Sequence, residues 1–195
     1  MRARLIYSKR GGACFVPHIA LAQIFSRSAL RSGLKLIMTQ GFSPRAKISF
    51  APELPAGVVA LNEPVDMYFD DVHDDIALLM NESLPEGFHV SRVLFPDDNS
   101  PSLGKACKYA EYLLRTTTGR DLHEHAHKFF GASLFRASYA DEWLRVIISE
   151  PAQNPIGGLV KYLRNENVIA GWHEMNIVRV SIGGYDPEGD CVCLK

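Results

Sequence analysis

The first 52 residues contain no aspartate and no glutamate. The chain as a whole hides this, because its formal charge is only −1 over 195 residues. Residues 1–50 carry Arg2, Arg4, Lys9, Arg10, Arg27, Arg31, Lys35, Arg45 and Lys47, and all 22 acids follow from Glu53 onward. A +9 segment is therefore joined to a −10 remainder. A one-signed segment inside a folded chain suggests a face that meets an anion, and nucleic acid is the commonest large one. The competing explanation is neutralisation by the acidic remainder packed beside it.

Other absences narrow the class. No apolar run approaches the roughly 20 residues of a membrane helix. The N-terminus lacks the apolar core and small-residue cleavage site of a secretion signal, so a cytoplasmic location away from membranes is expected. Four cysteines, Cys14, Cys107, Cys191 and Cys193, are too few and too scattered for a disulfide framework. There is no glycine-rich phosphate loop before a helix, no nucleophile elbow and no C-x-x-x-C-x-x-C iron–sulfur motif. No cofactor is expected, and support for intrinsic catalysis is weak.

What is present has a clear order. "RARLIYS" reads as a strand. "PHIALAQIFSRSALRSG" reads as a helix, with Leu21, Ile24, Phe25, Ser28 and Ala29 at helical spacing, Pro17 in its first turn and Gly33 at its C-terminal cap. Gln23, Arg27 and Arg31 are four apart and line one stripe of it. "LKLIMTQ" and "AKISFA" read as strands around the turn "GFSPR". "VDMYFD" alternates as a half-buried strand should. "DVHDDIALLMNESL" opens with acids that favour a helix N-terminus, and "HVSRVLF" closes as a strand. After the polar stretch "PDDNSPSLGK" the order repeats. "KYAEYLLRTT" is a strand, "DLHEHAHKFF" a helix, and "SLFRASY" and "EWLRVIIS" a hairpin. "NPIGGLVKYLRNE" is a helix capped by Asn154, and "NIVRVSIGG" is a last strand. The expected fold is α+β, with two tandem ferredoxin-like (βαββαβ) halves of antiparallel sheet. The divisions are 1–96, a linker 97–105, and 106–195.

"QGFSPRAKISFAPELPAGV" (40–58) gathers rigid turn residues and cations. Gly41 permits a positive φ, and Pro44 biases Ser43 to an extended shape. Arg45 and Lys47 then share one strand face, with Ile48 and Phe50 on the other. Phe42 is a candidate platform for stacking a base, with Arg45 and Lys47 on phosphates; the alternative is Phe42 in the core. His18 opens the basic helix and is a candidate proton carrier or ligand contact, against an ordinary capping role. His123 and His127 lie four apart on a helix and could share a metal, but further ligands are not evident, and His125 points elsewhere. Cys191 and Cys193 offer a soft-metal or disulfide pair on what reads as a frayed tail. No metal site is expected.

The strand "RLIYSKRGG", the helix "FVPHIALAQIFSRSALRSGL" and the stretch 40–58 together resemble the N-terminal signature of the radical-SAM-linked protein family. That family has no assigned function, and its members are encoded beside or fused to cobalamin-binding radical SAM proteins. Lys9, Gly11, His18, Arg27 and Arg31 match its pattern, as do Gln40, Gly41, Phe42, Pro44, Lys47, Ser49, Phe50, Pro55 and Gly57. Pro17 and Ala20 depart from it, where Ser and Asp are usual. The resemblance is dense over residues 1–60 and thin beyond. It implies a radical SAM protein as partner and favours an RNA-related task.

The expected function is a non-catalytic accessory module that binds RNA, or an RNA-bearing substrate, for that partner. Lys9, Arg10, Arg27, Arg31, Arg45 and Lys47 are the expected phosphate contacts, with Gln40, Ser49, Phe42 and His18 beside them. One alternative is an endoribonuclease, because tandem ferredoxin-like halves with a basic face resemble CRISPR-repeat processing enzymes in architecture. His18, with Tyr7 or Lys9, would then move protons. The other alternative is a protein-only adaptor that docks through the basic segment.

Overall fold

The computed structural model describes residues 1–71 and 75–194. Nine strands form a single open, mostly antiparallel sheet, with five α-helices among the described residues. The first half contributes β1 (Arg2–Lys9), α1 (His18–Arg31), β2 (Ile48–Phe50), β3 (Val59–Tyr68), α2 (Ile76–Ser83) and β4 (Phe88–Leu94). After α3 (Leu103–Ala106) come β5 (Tyr109–Thr116), α4 (His123–Phe130), β6 (Leu134–Ala140), β7 (Trp143–Ser149), α5 (Ile156–Asn165), β8 (Met175–Asp186) and β9 (Cys191–Cys193). The strands run β4-β1-β3-β8-β5-β7-β6, with β2 also on β3 and β9 on β8.

Two apolar cores lie under this sheet. In the first, the alternate residues Ala3, Leu5 and Tyr7 of β1 and Val65 and Met67 of β3 meet Leu21, Phe25 and Ala29 of α1 and Ile76 and Met80 of α2. The helical spacing seen in the sequence is the cause, since it puts those α1 residues on one face. Gly33 ends the helix at φ +76°, a conformation that glycine adopts without cost. The second core is built on β5, β7, α4 and α5. It also takes Ala51, Leu54, Val58 and Ala60 from the first half. The proline-rich end of 40–58 is thus a plug that leaves its own half and packs into the other.

The halves are joined through the backbone by β3 and β8. Their pairing is parallel and short, with Val59 opposite Val178 and Ala60 opposite Arg179. The stretch 97–105 is also held. Arg2 donates to the carbonyls of Ser100 (3.1 Å) and Asp97 (2.9 Å), Arg4 donates to that of Pro101 (3.3 Å), and Leu103 is fully buried.

Several local expectations change. "LKLIMTQ" forms only isolated bridges, Leu36 with Phe69 and Met38 with Ala46. Asn154 does not cap α5. Its amide donates to Ser133 Oγ and to the Ser149 and Glu150 carbonyls, and Pro155 occupies the cap position. The "CVC" segment is not frayed but is strand β9. Within "VDMYFD", Val65, Met67 and Phe69 are buried as expected, yet Asp66 is buried too, because Arg4 opposite it forms a two-point ion pair at 2.7 and 3.0 Å. Of the acids that open "DVHDDIALLMNESL", Asp74 lies outside the described residues. No described helix is long and apolar enough to cross a membrane.

Candidate functional site

Two arrangements share residues 1–60. One is exposed and cationic; the other is buried and polar.

The exposed one is a hairpin that extends the sheet beyond β2. Thr39 N donates to Arg45 O (2.7 Å), Lys47 N to Ile37 O (2.8 Å), and Ile37 N to Tyr68 O (2.8 Å). Those bonds leave residues 40–44 as the tip. Gly41 stands there at φ +145°, as its place in the turn requires. Phe42 is 111% exposed, so it is not a core residue. Gln40, Arg45, Lys47 and Ser49 are exposed along the hairpin, while Ile48 and Phe50 turn to the first core. Lys47 Nζ sits 4.0 Å from the centroid of the Tyr68 ring, a cation–π contact that orients but does not bury the charge. Phe50 packs edge-on against Phe25 of α1 and against His18, both at 5.6 Å, so the hairpin root rests on the basic helix. On that helix Arg27 is exposed, and Ile19 is 89% exposed. Arg10 and Phe15 are exposed on the turn before it. Arg31 is different. Its guanidinium donates to Ser83 O (2.7 Å) and Ser28 Oγ (3.2 Å), tying α1 to the end of α2.

The buried arrangement lies where the two cores meet. Lys9 of β1 is opposite Ala60 of β3, Ala60 is opposite Arg179 of β8, and Arg179 is opposite Tyr112 of β5. Side chains in cross-strand register share a face, so these four form one row across the junction. Ala60 is small and leaves room for Arg179 to reach Glu63, which is itself opposite Tyr7. Arg179 Nε donates to a Glu63 carboxylate oxygen at 2.6 Å, and its Nη2 atom bonds the other Glu63 oxygen and Pro52 O (3.1 Å). Both side chains are buried. Burial alone would lower the Arg179 pKa, but Glu63 and Tyr112 outweigh it and hold the guanidinium above its ordinary value. Burial pushes the Tyr7 phenol far up, helped by Glu63. Lys9 is interior rather than superficial. Its Nζ donates to Val16 O at 3.3 Å, and burial lowers its pKa. His18 is half-buried; burial holds its pKa below the ordinary value, with Glu53 opposing and Arg179 and Lys9 adding to the effect.

Tyr7, Lys9 and His18 therefore do come together, around a cavity that also touches Glu63 and Arg179. The cavity is about 10 Å³, room for one water at most. Sequence reasoning missed Glu63, Arg179 and Tyr112. A signal for Arg179 existed, since it is a cation in the middle of the apolar run "NIVRVSIGG". The histidines of α4 meet no metal-ligand set among the described residues. His123 and His127 pack ring on ring at 4.7 Å, and His125 contacts the Tyr162 ring.

The profile of a family described as an uncharacterized protein conserved in bacteria, DUF2344, matches residues 2–142. The chain belongs to this family. The family match covers the hairpin, the basic helix and the Tyr7, Lys9 and Glu63 positions, and it ends before Arg179. No curated protein matches the chain.

Proposed function

We propose that this chain is an RNA-binding accessory module whose contact surface is the 40–47 hairpin together with the outer face of α1. The observation that carries this reading is Phe42. An exposed aromatic side chain costs solvation and gains little in the folded chain, yet Phe42 tips a hairpin that carries Arg45 and Lys47 and whose root rests on the helix bearing Arg27. That combination suits bases stacked on a ring with phosphates on the flanking cations. Arg10, Arg27, Arg45 and Lys47 are the contacts with RNA, Gln40 and Ser49 the polar neighbours. Lys9 supports the surface from within, and Arg31 ties α1 to the end of α2. The partner that the sequence resemblance implies is a radical SAM protein.

We also read the sheet as two ferredoxin-like halves. Numbered within each half, the strand order is fourth, first, third, second in both, as β4-β1-β3-β2 and β8-β5-β7-β6. Separate apolar cores support the same division.

The test is a salt titration of binding to total cellular RNA. Affinity should fall steeply with salt, because each neutralised phosphate releases counterions. Arg27→Glu/Arg45→Glu should weaken binding and flatten the salt slope by roughly one to two, about 0.7 for each single-strand phosphate that is no longer neutralised. Unchanged affinity and slope would sink the reading, and co-purification of a protein that survives nuclease would then favour an adaptor.

The convergence of Tyr7, Lys9 and His18 favours a second reading, an endoribonuclease. Its cavity would have to open to admit a nucleotide, and the Tyr7 phenol is poorly disposed to ionise. Incubation with structured RNAs decides it: a product that disappears with His18→Gln supports cleavage, and intact RNA rejects it.

A further inference from the structure

The hairpin of β8 and β9 carries a group that neither reading uses. Side chains two apart on a strand lie on one face, so Cys191 and Cys193 project together. Across the hairpin, Asp186 is in register with Cys191, and Gly184 with Cys193. Asp186, Cys191 and Cys193 thus occupy three corners of a cross-strand square, and the fourth corner has no side chain. The two sulfurs and a carboxylate oxygen of Asp186 lie within 4.8 Å of one another. Two zinc–ligand bonds of about 2.0–2.3 Å span a similar distance.

The hairpin is held firmly enough to present them. Gly183 lies beneath the Cys193 carbonyl, and a Cβ there would collide with it. Asp190, in the turn, accepts from Arg136 (2.6 Å), Arg145 (3.1 Å) and Tyr185 (2.8 Å). Val192 N donates to the buried Glu111 at 3.3 Å. A cavity of about 240 Å³, lined by Gly184, Asp186 and Cys193, opens at that empty corner.

We propose that Asp186, Cys191 and Cys193 bind a zinc ion, with its remaining position open on the Gly184 side and toward this cavity. A disulfide suits the pair less well. Residues two apart on a strand are separated by about 6.6 Å at Cα, the far end of the disulfide range. Binding is not a redox step. The two thiols give up two protons to solvent, and two thiolates, one carboxylate and Zn²⁺ leave the centre with charge −1. Two soft thiolates with one carboxylate favour zinc over calcium or magnesium, which take oxygen ligands.

The test uses the reduced full chain with zinc chloride and with cobalt(II) chloride as a spectroscopic substitute. One zinc per chain should bind in equilibrium dialysis. Cobalt should give a thiolate-to-metal charge-transfer band, and zinc should protect two thiols from a thiol reagent. Cys14 and Cys107 are buried and serve as internal controls. Cys191→Ser/Cys193→Ser should abolish the band, and Asp186→Asn should keep it with weaker binding. If the double variant fails to fold, thiol protection in the unmodified chain still decides. Full reactivity of Cys191 and Cys193 in excess zinc overturns the proposal. So does zinc retained by a folded double variant, which would place the metal at the α4 histidines.

Discussion

The cations of the first 50 residues are put to opposite uses at the hairpin and at the junction. Arg45 and Lys47 stand in solvent on a hairpin that adds little to either core. Lys9 is buried at the seam, beside the Arg179–Glu63 pair, and Arg4 is buried against Asp66. Water stabilises the first pair of charges and asks nothing of the fold. The interior does not, so each buried charge needs an anion or a carbonyl at hydrogen-bonding distance. The same residue type is thus left to solvent in one place and used in assembly in the other. A count of charge along the sequence cannot separate them.

The largest effect that would sharpen this contrast is at the seam. Glu63→Ala leaves the Arg179 guanidinium buried and unpaired, and should cost about 3–5 kcal/mol in urea unfolding. Glu63→Leu/Arg179→Met removes both charges and should recover most of that loss, because apolar replacements of a whole pair are often neutral. If Glu63→Ala unfolds like the unmodified chain, the seam pair is not what holds the halves together. By the same measurement Arg45→Glu should stay within about 0.5 kcal/mol, as surface substitutions do.

Phe42→Ala comes next. It should leave the urea midpoint unchanged, since the ring touches no core, and weaken RNA binding by about 1–3 kcal/mol, the range for one stacked base. A lowered midpoint with unchanged RNA affinity would reverse the assignment and make the hairpin tip structural.

Much of this was legible and some was not, for identifiable reasons. Helix α1 was readable because one face of it is buried, and burial writes a period into the sequence; β3 alternates in sequence at Val65 and Met67, yet Asp66 between them is buried as well. The hairpin tip was readable because Gly41 and Pro44 are turn residues with a mechanism. The destination of Ala51, Leu54 and Val58 was not, since proline-rich loops carry no period that tells which core they enter. Arg179 and Glu63 are 116 positions apart, and only the strand order brings them together. Of the expected phosphate contacts, Lys9 is buried because β1 lies between β4 and β3, and Arg31 is bonded to Ser83, 52 positions on; local pattern shows neither neighbour. Strand β9 was missed because its pairing is made by the longer extension of β8 and the Asp190 turn.

The smallest effect concerns His18, at the boundary between the two regions. In the folded chain burial and the nearby Arg179 and Lys9 hold its pKa below the ordinary value, against Glu53. The unfolded chain takes up a proton near the ordinary value of about 6.5. Below that pH the unfolded state therefore binds a proton that the folded state lacks, and stability falls as pH drops through the window between the two values. Above it the contribution is fully present, and below the folded value it changes no further. Other histidines share the chain, so the informative quantity is a difference. Urea midpoints measured at pH 7.5 and 5.5 should fall less for His18→Gln than for the unmodified protein. Parallel falls would mean that His18 is solvated in both states. It would then belong with Arg27 and Arg45 on the exposed cationic surface, and the seam would begin at Lys9.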